Sequence, residues 1–264
     1  MRIGLALAVS ALVTALCACG SSHRHSEGQP KTTNFVLQSN LMGRSMYEVL
    51  VTPAGGGTGR PLLVFLHGYG ASPSDILTPA FVSALRALGK RAPVVFLPEG
   101  DVGFWHDRLG QPWGRYVLRE AIPAALARSH ADGNRVAIGG ISMGGFGALD
   151  LGRLAPNRFC AVGGHSPAVF FRYSTELFGA FDDSADFARH DLLRSARHHS
   201  PYHAPVWIDI GNHDYLRPGA EALAHELRAD GADVSFHVWP GSHNGRYWDA
   251  HFAQYLRFYI GACH

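Results

Sequence analysis

The 264-residue chain is poor in cysteine, with four, and in charge, with 17% Asp, Glu, Lys and Arg. So few cysteines exclude a small scaffold built on disulfides. A formal net charge of only +2 gives no electrostatic footprint for nucleic acid or an anionic membrane surface. The apolar run from Ile3 to Leu16 is too short to span a hydrocarbon core, which takes roughly 20 residues. There is no repeat of 20 to 50 residues and no long low-complexity linker beyond residue 33. What is plentiful is apolar surface, 47% of residues, with 31 glycines and 15 prolines dispersed along the chain. That excludes disordered, collagen-like and coiled-coil proteins and makes one large domain the default.

Arg2, the apolar run Ile3 to Leu16, and Cys17-Ala18-Cys19-Gly20-Ser21-Ser22 have the layout of an export signal. Cleavage after Ala18 by an ordinary signal peptidase fits poorly, because Leu16 stands where a small residue is wanted. Leu16-Cys17-Ala18-Cys19 instead resembles a bacterial lipobox, with Cys17 unusual at its position, and the resemblance implies a lipid on Cys19. The chain then divides into a signal peptide over 1–18, a flexible tether over 19–32 and a folded domain over 33–264. The protein is expected outside the cytoplasmic membrane or in the cell envelope, touching membrane only through the lipid. Cys160 and Cys263 remain, and the sequence leaves open whether they pair.

From residue 33, short β-rich runs alternate with segments of helical period. Phe35–Leu37, Tyr47–Val51, Leu62–Leu66, Val94–Leu97, Val136–Ile141, Cys160–Gly164, Val206–Ile210 and Val234–Trp239 make about eight strands. Several are continuous apolar runs, as in a sheet covered on both faces. Phe81–Leu88 and Ala220–Asp230 read as helices stopped by Gly89 and Gly231. Tyr116–Ser129 reads as another, with Pro123 predicting a kink or a late start. Trp248, Phe252, Tyr255 and Tyr259 form one core-facing stripe of a C-terminal helix. The fold class is therefore α/β, a mostly parallel eight-stranded sheet with helices on both faces and ligands at the carboxyl ends of the strands.

Gly140-Ile141-Ser142-Met143-Gly144 matches G-x-S-x-G, ends an apolar strand and opens a helical segment. A nucleophile elbow needs that context, and the flanking glycines suit a turn too tight for a Cβ. A serine hydroxyl needs a base, and the base needs a carboxylate to orient it. His243 follows the last strand, and Asp214 follows the strand before it, giving the order Ser142, Asp214, His243. Asp209 is the rival acid, but it lies within a strand and reads as buried structure. The backbone N–H groups of Met143 and of Tyr69, in His67-Gly68-Tyr69-Gly70, are the oxyanion donors expected from position. His67 itself reads as a brace for that loop.

Gly139 to Leu149, His67 to Gly70, Gly211 to Asp214 and His243 to Trp248 together resemble the putative esterase family of α/β-hydrolases. That family includes esterase D, the feruloyl esterases and the antigen 85 mycolyltransferases. The resemblance covers about residues 33 to 262. It implies an α/β-hydrolase fold with Ser142 as nucleophile, Asp214 as acid, His243 as base, and Tyr69 and Met143 as oxyanion donors. Antigen 85 has glutamate where this chain has Asp214, which points toward the esterase branch.

Trp105 and His165 stand at loop and strand-end positions able to line a pocket and are the substrate-binding candidates. The stretch from Ser166 to Pro205, with Phe170, Phe171, Phe178, Phe181 and Phe187, either covers an acyl group or buries its rings in short helices. His198, His199 and His203 lack acidic partners in a ligand motif, so no metal site is expected there or elsewhere, and no cofactor. Gly55 to Gly59 reads as a turn between strands rather than a phosphate loop. The expected activity is hydrolysis of small or cell-envelope carboxylic esters through an acyl-enzyme on Ser142. Acyl transfer to a carbohydrate hydroxyl and a catalytically silent binding module are the alternatives, and oligomeric state is not readable.

Overall fold

The computed structural model describes residues 28–174, 179–197 and 202–263. Eight strands form one sheet: β1 (Lys31–Ser39), β2 (Arg44–Thr52), β3 (Pro61–Leu66), β4 (Val94–Leu97), β5 (Asp132–Ile141), β6 (Ala161–His165), β7 (Val206–Gly211) and β8 (Val234–Trp239). Their order is β1-β2-β4-β3-β5-β6-β7-β8. The first two strands form an antiparallel hairpin, β2 runs antiparallel to β4, and every pairing from β4 to β8 is parallel. The segment expected to be a tether up to residue 32 is already strand at its last two residues. Lys31 and Thr32 already pair with Thr52 and Val51, so the hairpin claims them.

The continuous apolar strands are explained by alternation across the sheet. Leu62, Val64 and Leu66 of β3 join one hydrophobic cluster, while Leu63 and Phe65 join the other. The first face is covered by α2 (Ile122–Ser129), α3 (Met143–Leu154), α6 (Arg217–Ala229) and the two short helices α4 (Ser184–His190) and α5 (Leu192–Ala196). The second is covered by α1 (Pro79–Ala87) and α7 (Gly245–Ala262). Each fully buried Leu, Val or Phe contributes roughly 1.5–3 kcal/mol.

The helix stops behave as their residues require. Gly89 and Gly231 take the left-handed conformation after α1 and α6, at φ 53° and 85°. After α6, Gly231 N–H bonds Arg228 C=O and Ala232 N–H bonds Leu227 C=O, closing the last turn. Pro123 lies inside a continuously helical stretch, with Ala121 and Ile122 both helical, and the irregularity it predicts takes the form of a π-helical turn over Val117–Ala121 just before it. In α7 the expected stripe is buried at Phe252, Tyr255 and Tyr259 and half-buried at Trp248. Among the described residues no helix is long and apolar enough to cross a membrane.

Cys160, one residue before β6, is bonded to Cys263 just past α7, with Cα atoms 5.2 Å apart. This answers the question the sequence left open. The bond closes a segment with a sequence separation of 103, for which loop-closure entropy alone amounts to about 4.7 kcal/mol.

Candidate active site

Strand β5 ends at Ile141 and α3 begins at Met143, so Ser142 alone makes the turn between them. Its φ of 56° and ψ of −115° lie where L-residues are strained by on the order of 1–3 kcal/mol. The neighbouring backbone holds it there. Ser142 N–H donates to His165 C=O at 2.9 Å, and Ser142 C=O accepts from Phe146 N–H at 3.0 Å and Ala168 N–H at 3.1 Å. A Cβ on Gly140 would stand 2.4 Å from Gly144 C=O, and one on Gly144 would stand 2.1 Å from Leu66 C=O. The two flanking glycines are therefore required by close approach of β3 to the elbow, as the sequence pattern implied.

The turn aims the Ser142 hydroxyl at His243, whose Nε2 lies 2.8 Å from Ser142 Oγ. On the other side of the ring, Nδ1 lies 2.8 Å from Asp214 Oδ2. A carboxylate only accepts, so Nδ1 carries the proton and Nε2 is left to receive one from the serine. Asp214 is fixed in turn by Leu216 N–H, which donates to its Oδ1 at 2.9 Å. Its side chain is fully buried, whereas that of His243 keeps 15% of its surface. Trp248 packs edge-on against the His243 ring at 5.2 Å, and Tyr215 flanks it at 5.1 Å. The three side chains thus form a hydrogen-bonded series able to pull a proton from the serine.

Met143 N–H adjoins the same hydroxyl, and the loop that carries Tyr69, the second expected donor, reaches the cleft. Met143 is the first residue of α3, so its N–H has no acceptor within the helix and stands at the positive end of the helix dipole. Gly68 lies against the elbow, where a Cβ on it would stand in ordinary contact with Ser142 Cβ at 3.5 Å, and its neighbour Tyr69 lines the cleft. His67 braces this loop. It is fully buried, its Nε2 accepts from Gly100 N–H at 3.1 Å, and its Nδ1 donates to Gly68 C=O at 2.9 Å. Burial pushes its pKa down, in keeping with the neutral ring this pairing needs.

A cleft of about 260 Å³ opens above Ser142, lined by Tyr69, Phe104, Met143, Ala168, Phe170, Tyr215, Leu216 and His243. A larger hollow of about 410 Å³, bordered by Pro53, Leu85, Arg86 and Lys90, has no serine, histidine or carboxylate in its wall.

Trp105 and His165, expected as substrate-binding residues, line neither. Both are fully buried. Trp105 fills the space beside α3, where a Cβ on Gly147 would lie 2.3 Å from its own, and its Nε1 donates to His67 C=O at 3.2 Å. Its neighbour Phe104 faces the cleft instead. Successive positive φ values at Phe104 and Trp105, 53° and 64°, set that choice, and no spacing rule anticipates them. His165 ends β6 but points into the core, with Nδ1 2.6 Å from Asp209 Oδ1 and Nε2 2.8 Å from the Tyr259 hydroxyl. Asp209 is buried structure, as read from its place inside the strand. It also accepts from Trp207 Nε1 and from the hydroxyls of Tyr247 and Tyr255, each at 2.8 Å.

The phenylalanines of the insertion divide their duties. Phe170 lines the cleft, Phe181 and Phe187 are buried, Phe171 is exposed, and Phe178 lies outside the described residues. His198 and His199 also fall outside them, while His203 is exposed with Nδ1 2.8 Å from Asn157 Oδ1. Tyr215 and Leu216 were missed by sequence reasoning, although they directly follow the acid in the chain.

The family described as "Putative esterase" matches residues 39–259. The chain belongs to that family. This esterase is 26% identical to an S-formylglutathione hydrolase of Paracoccus denitrificans over 255 residues, covering 84% of this chain and 90% of the relative. It is 25% identical to an acetyl esterase of Caldicellulosiruptor saccharolyticus over 214 residues, covering 72% and 80%. Among solved structures it superposes on a ferulic acid esterase with a TM-score of 0.79 at 19% identity, over 89% of this chain and 99% of that one. An S-formylglutathione hydrolase from Agrobacterium tumefaciens gives 0.74 at 20%, over 89% and 96%. These superpositions show the α/β-hydrolase fold. Family membership makes the protein a carboxylic ester hydrolase of the serine type.

Proposed function

We propose that this esterase cleaves small carboxylic esters through an acyl-enzyme on Ser142, with His243 as base and Asp214 as the group that orients it. The observation that carries the reading is the unbroken series Ser142 Oγ, His243, Asp214, with both contacts at 2.8 Å. His243 Nε2 takes the hydroxyl proton as Ser142 Oγ bonds the ester carbonyl carbon. The carbonyl oxygen becomes an oxyanion beside the N–H groups of Met143 and Tyr69. As the tetrahedral centre collapses, the bond to the alkoxy oxygen breaks and His243 protonates the departing alcohol. Water then repeats the sequence on the acyl-enzyme, releasing acid and restoring the serine.

The cleft volume, about 260 Å³, and its aromatic and aliphatic wall favour a compact acyl group. Short-chain or single-ring acyl esters are therefore the substrate class we assign. Labelling with a fluorophosphonate tests the mechanism: the wild-type protein should be tagged on Ser142 and the Ser142→Ala protein should not. A folded wild-type sample that stays unlabelled would favour the silent binding module. In a series of p-nitrophenyl esters, acetate and butyrate should be turned over faster than palmitate, and the reverse order would reject the compact-acyl assignment. Product analysis with acceptor sugars present separates hydrolysis from acyl transfer.

We also propose that the domain is exported and held by a lipid on Cys19. The disulfide between Cys160 and Cys263 supports an oxidising location. Incorporation of labelled palmitate, lost in Cys19→Ala with release of the protein from the membrane fraction, is the expected result.

A further inference from the structure

A second cluster of ionisable side chains lies under the insertion, apart from the hydrolytic residues. Asp186 and His190 are one helical turn apart on α4, so they share a face, and that face meets His106 from the loop after β4. All three are buried. Asp186 Oδ1 lies 3.9 Å from His106 Nδ1 and 3.8 Å from His190 Nε2, and the three atoms lie within 4.8 Å of one another. These separations are too long for direct hydrogen bonds. Among the described residues His106 Nδ1 has no hydrogen-bond partner, although its ring has no exposed surface. A nitrogen lone pair or N–H left in that state keeps its full desolvation penalty.

The outer atoms of the same rings are fully committed. His190 Nδ1 is 2.8 Å from Asp150 Oδ2, and His106 Nε2 is 2.8 Å from Ala180 C=O. Both outer nitrogens therefore donate, so each ring in its neutral form turns a lone pair, at His106 Nδ1 and His190 Nε2, toward one carboxylate oxygen. Two such lone pairs and an anionic oxygen repel one another, and a cation held among the three relieves that repulsion. Carboxylate and carbonyl acceptors behind the rings are also what fixes the tautomer of metal-bound histidines.

We propose that His106, Asp186 and His190 bind a divalent transition-metal ion, zinc by the chemistry of its ligands, which fastens the insertion to the body of the domain. A point among the three atoms is roughly 2.5 Å or less from each, against about 2.0–2.2 Å for zinc with imidazole nitrogen or carboxylate oxygen. Inward movement of a few tenths of an ångström completes the contacts, and water supplies the remaining position. Arg189 competes for the carboxylate: its guanidinium donates to Asp186 Oδ1 at 2.9 Å, but its side chain is 63% exposed and free to swing away. Asp186 Oδ2 keeps its bond from Asp182 N–H at 2.9 Å. The ion would join the loop carrying Phe104, which lines the acyl cleft, to helix α3 through Asp150 and to α4 of the insertion.

The test uses the whole protein purified on a histidine-free tag, stripped with chelator and titrated with Co²⁺ and then Zn²⁺. One equivalent of Co²⁺ should give visible ligand-field absorption, Zn²⁺ should displace it, and either ion should raise the unfolding temperature. His106→Gln and Asp186→Asn should weaken uptake at least tenfold, and Arg189→Gln, which removes the competing cation, should tighten it. X-ray absorption of the zinc-loaded wild type should show two imidazoles, which decides the matter even where a ligand variant does not fold. Absence of stoichiometric uptake by the wild type, an imidazole count other than two, or uptake unchanged in both ligand variants would overturn the site. None of these readouts depends on ester turnover, so the metal site and the hydrolytic mechanism stand or fall separately.

Discussion

The sheet carries two histidine–aspartate pairs, and they differ only in where their residues sit relative to the strand ends. Asp209 is inside β7 and pairs with His165 at the end of β6, at 2.6 Å. Asp214 lies in the loop just past β7 and pairs with His243, in the loop past β8, at 2.8 Å. The inner pair is closed: every oxygen of Asp209 accepts two bonds, and the outer nitrogen of His165 meets a tyrosine hydroxyl that burial keeps far above its usual pKa. The outer pair ends on a serine hydroxyl at the floor of a cleft. Identical chemistry is thus a core brace in one place and a proton relay in the other. The deciding factor is whether the last imidazole nitrogen faces packed protein or a space that admits substrate.

The sharpest way to break the comparison is Ser142→Ala. It should lower kcat by something on the order of 10⁶ while leaving the unfolding temperature near that of the wild type, read on a chromogenic ester and by calorimetry. Asp214→Asn should cost about 10⁴ in kcat, because the imidazole loses its enforced tautomer, again with little change in stability. Asp209→Asn should do the opposite. Breaking a buried, fully bonded pair should remove roughly 3–5 kcal/mol of stability in denaturant titration, with kcat of the folded fraction close to normal. A large loss of kcat at unchanged stability in Asp209→Asn would erase the distinction drawn between the two pairs.

A third buried carboxyl, with no histidine, sharpens the contrast. Glu48 is held by the Tyr116 hydroxyl and by Glu99 N–H, and burial raises its pKa from 4.5 to about 7. A folded-state pKa above the unfolded one means the native state holds the proton more tightly. Its stabilising contribution is therefore complete below about pH 4.5 and is lost as pH rises through about 7, by about 3 kcal/mol in total. Glu48→Gln should remove that slope from a plot of stability against pH, and an unchanged slope would assign it to other groups. The smallest effect is expected for Tyr259→Phe, which leaves His165 Nε2 without its 2.8 Å partner and should cost about 1–3 kcal/mol of stability.

Much of the frame was legible because it rests on local rules. Strand positions followed from apolar runs, the stops at Gly89 and Gly231 from backbone freedom, and an irregularity at Pro123 from its missing N–H, although its form, a π-turn rather than a kink or late start, did not. The elbow was legible for a steric reason: at Gly140 and Gly144 a side chain would collide with backbone. Trp105 and His165 were misplaced because loop position does not report which way a side chain points. Reversed backbone at Phe104 and Trp105 put the smaller ring in the cleft, and the packing of α7 against β6 turned His165 inward. The α7 stripe was read as apolar, and its rings are buried. Its tyrosine hydroxyls nevertheless form the polar core around Asp209 and His165, which periodicity cannot foresee.

What the amino-acid order determined by itself was the succession of strands and helices and the chain order of nucleophile, acid and base, since both arise from short-range sterics and from residues at strand ends. Only the folded molecule decided that Asp209 pairs with His165, whether Cys160 meets Cys263, and that His106 comes to face Asp186 and His190. Those outcomes depend on contacts between segments dozens of residues apart, where direction and burial, not spacing, select the partner.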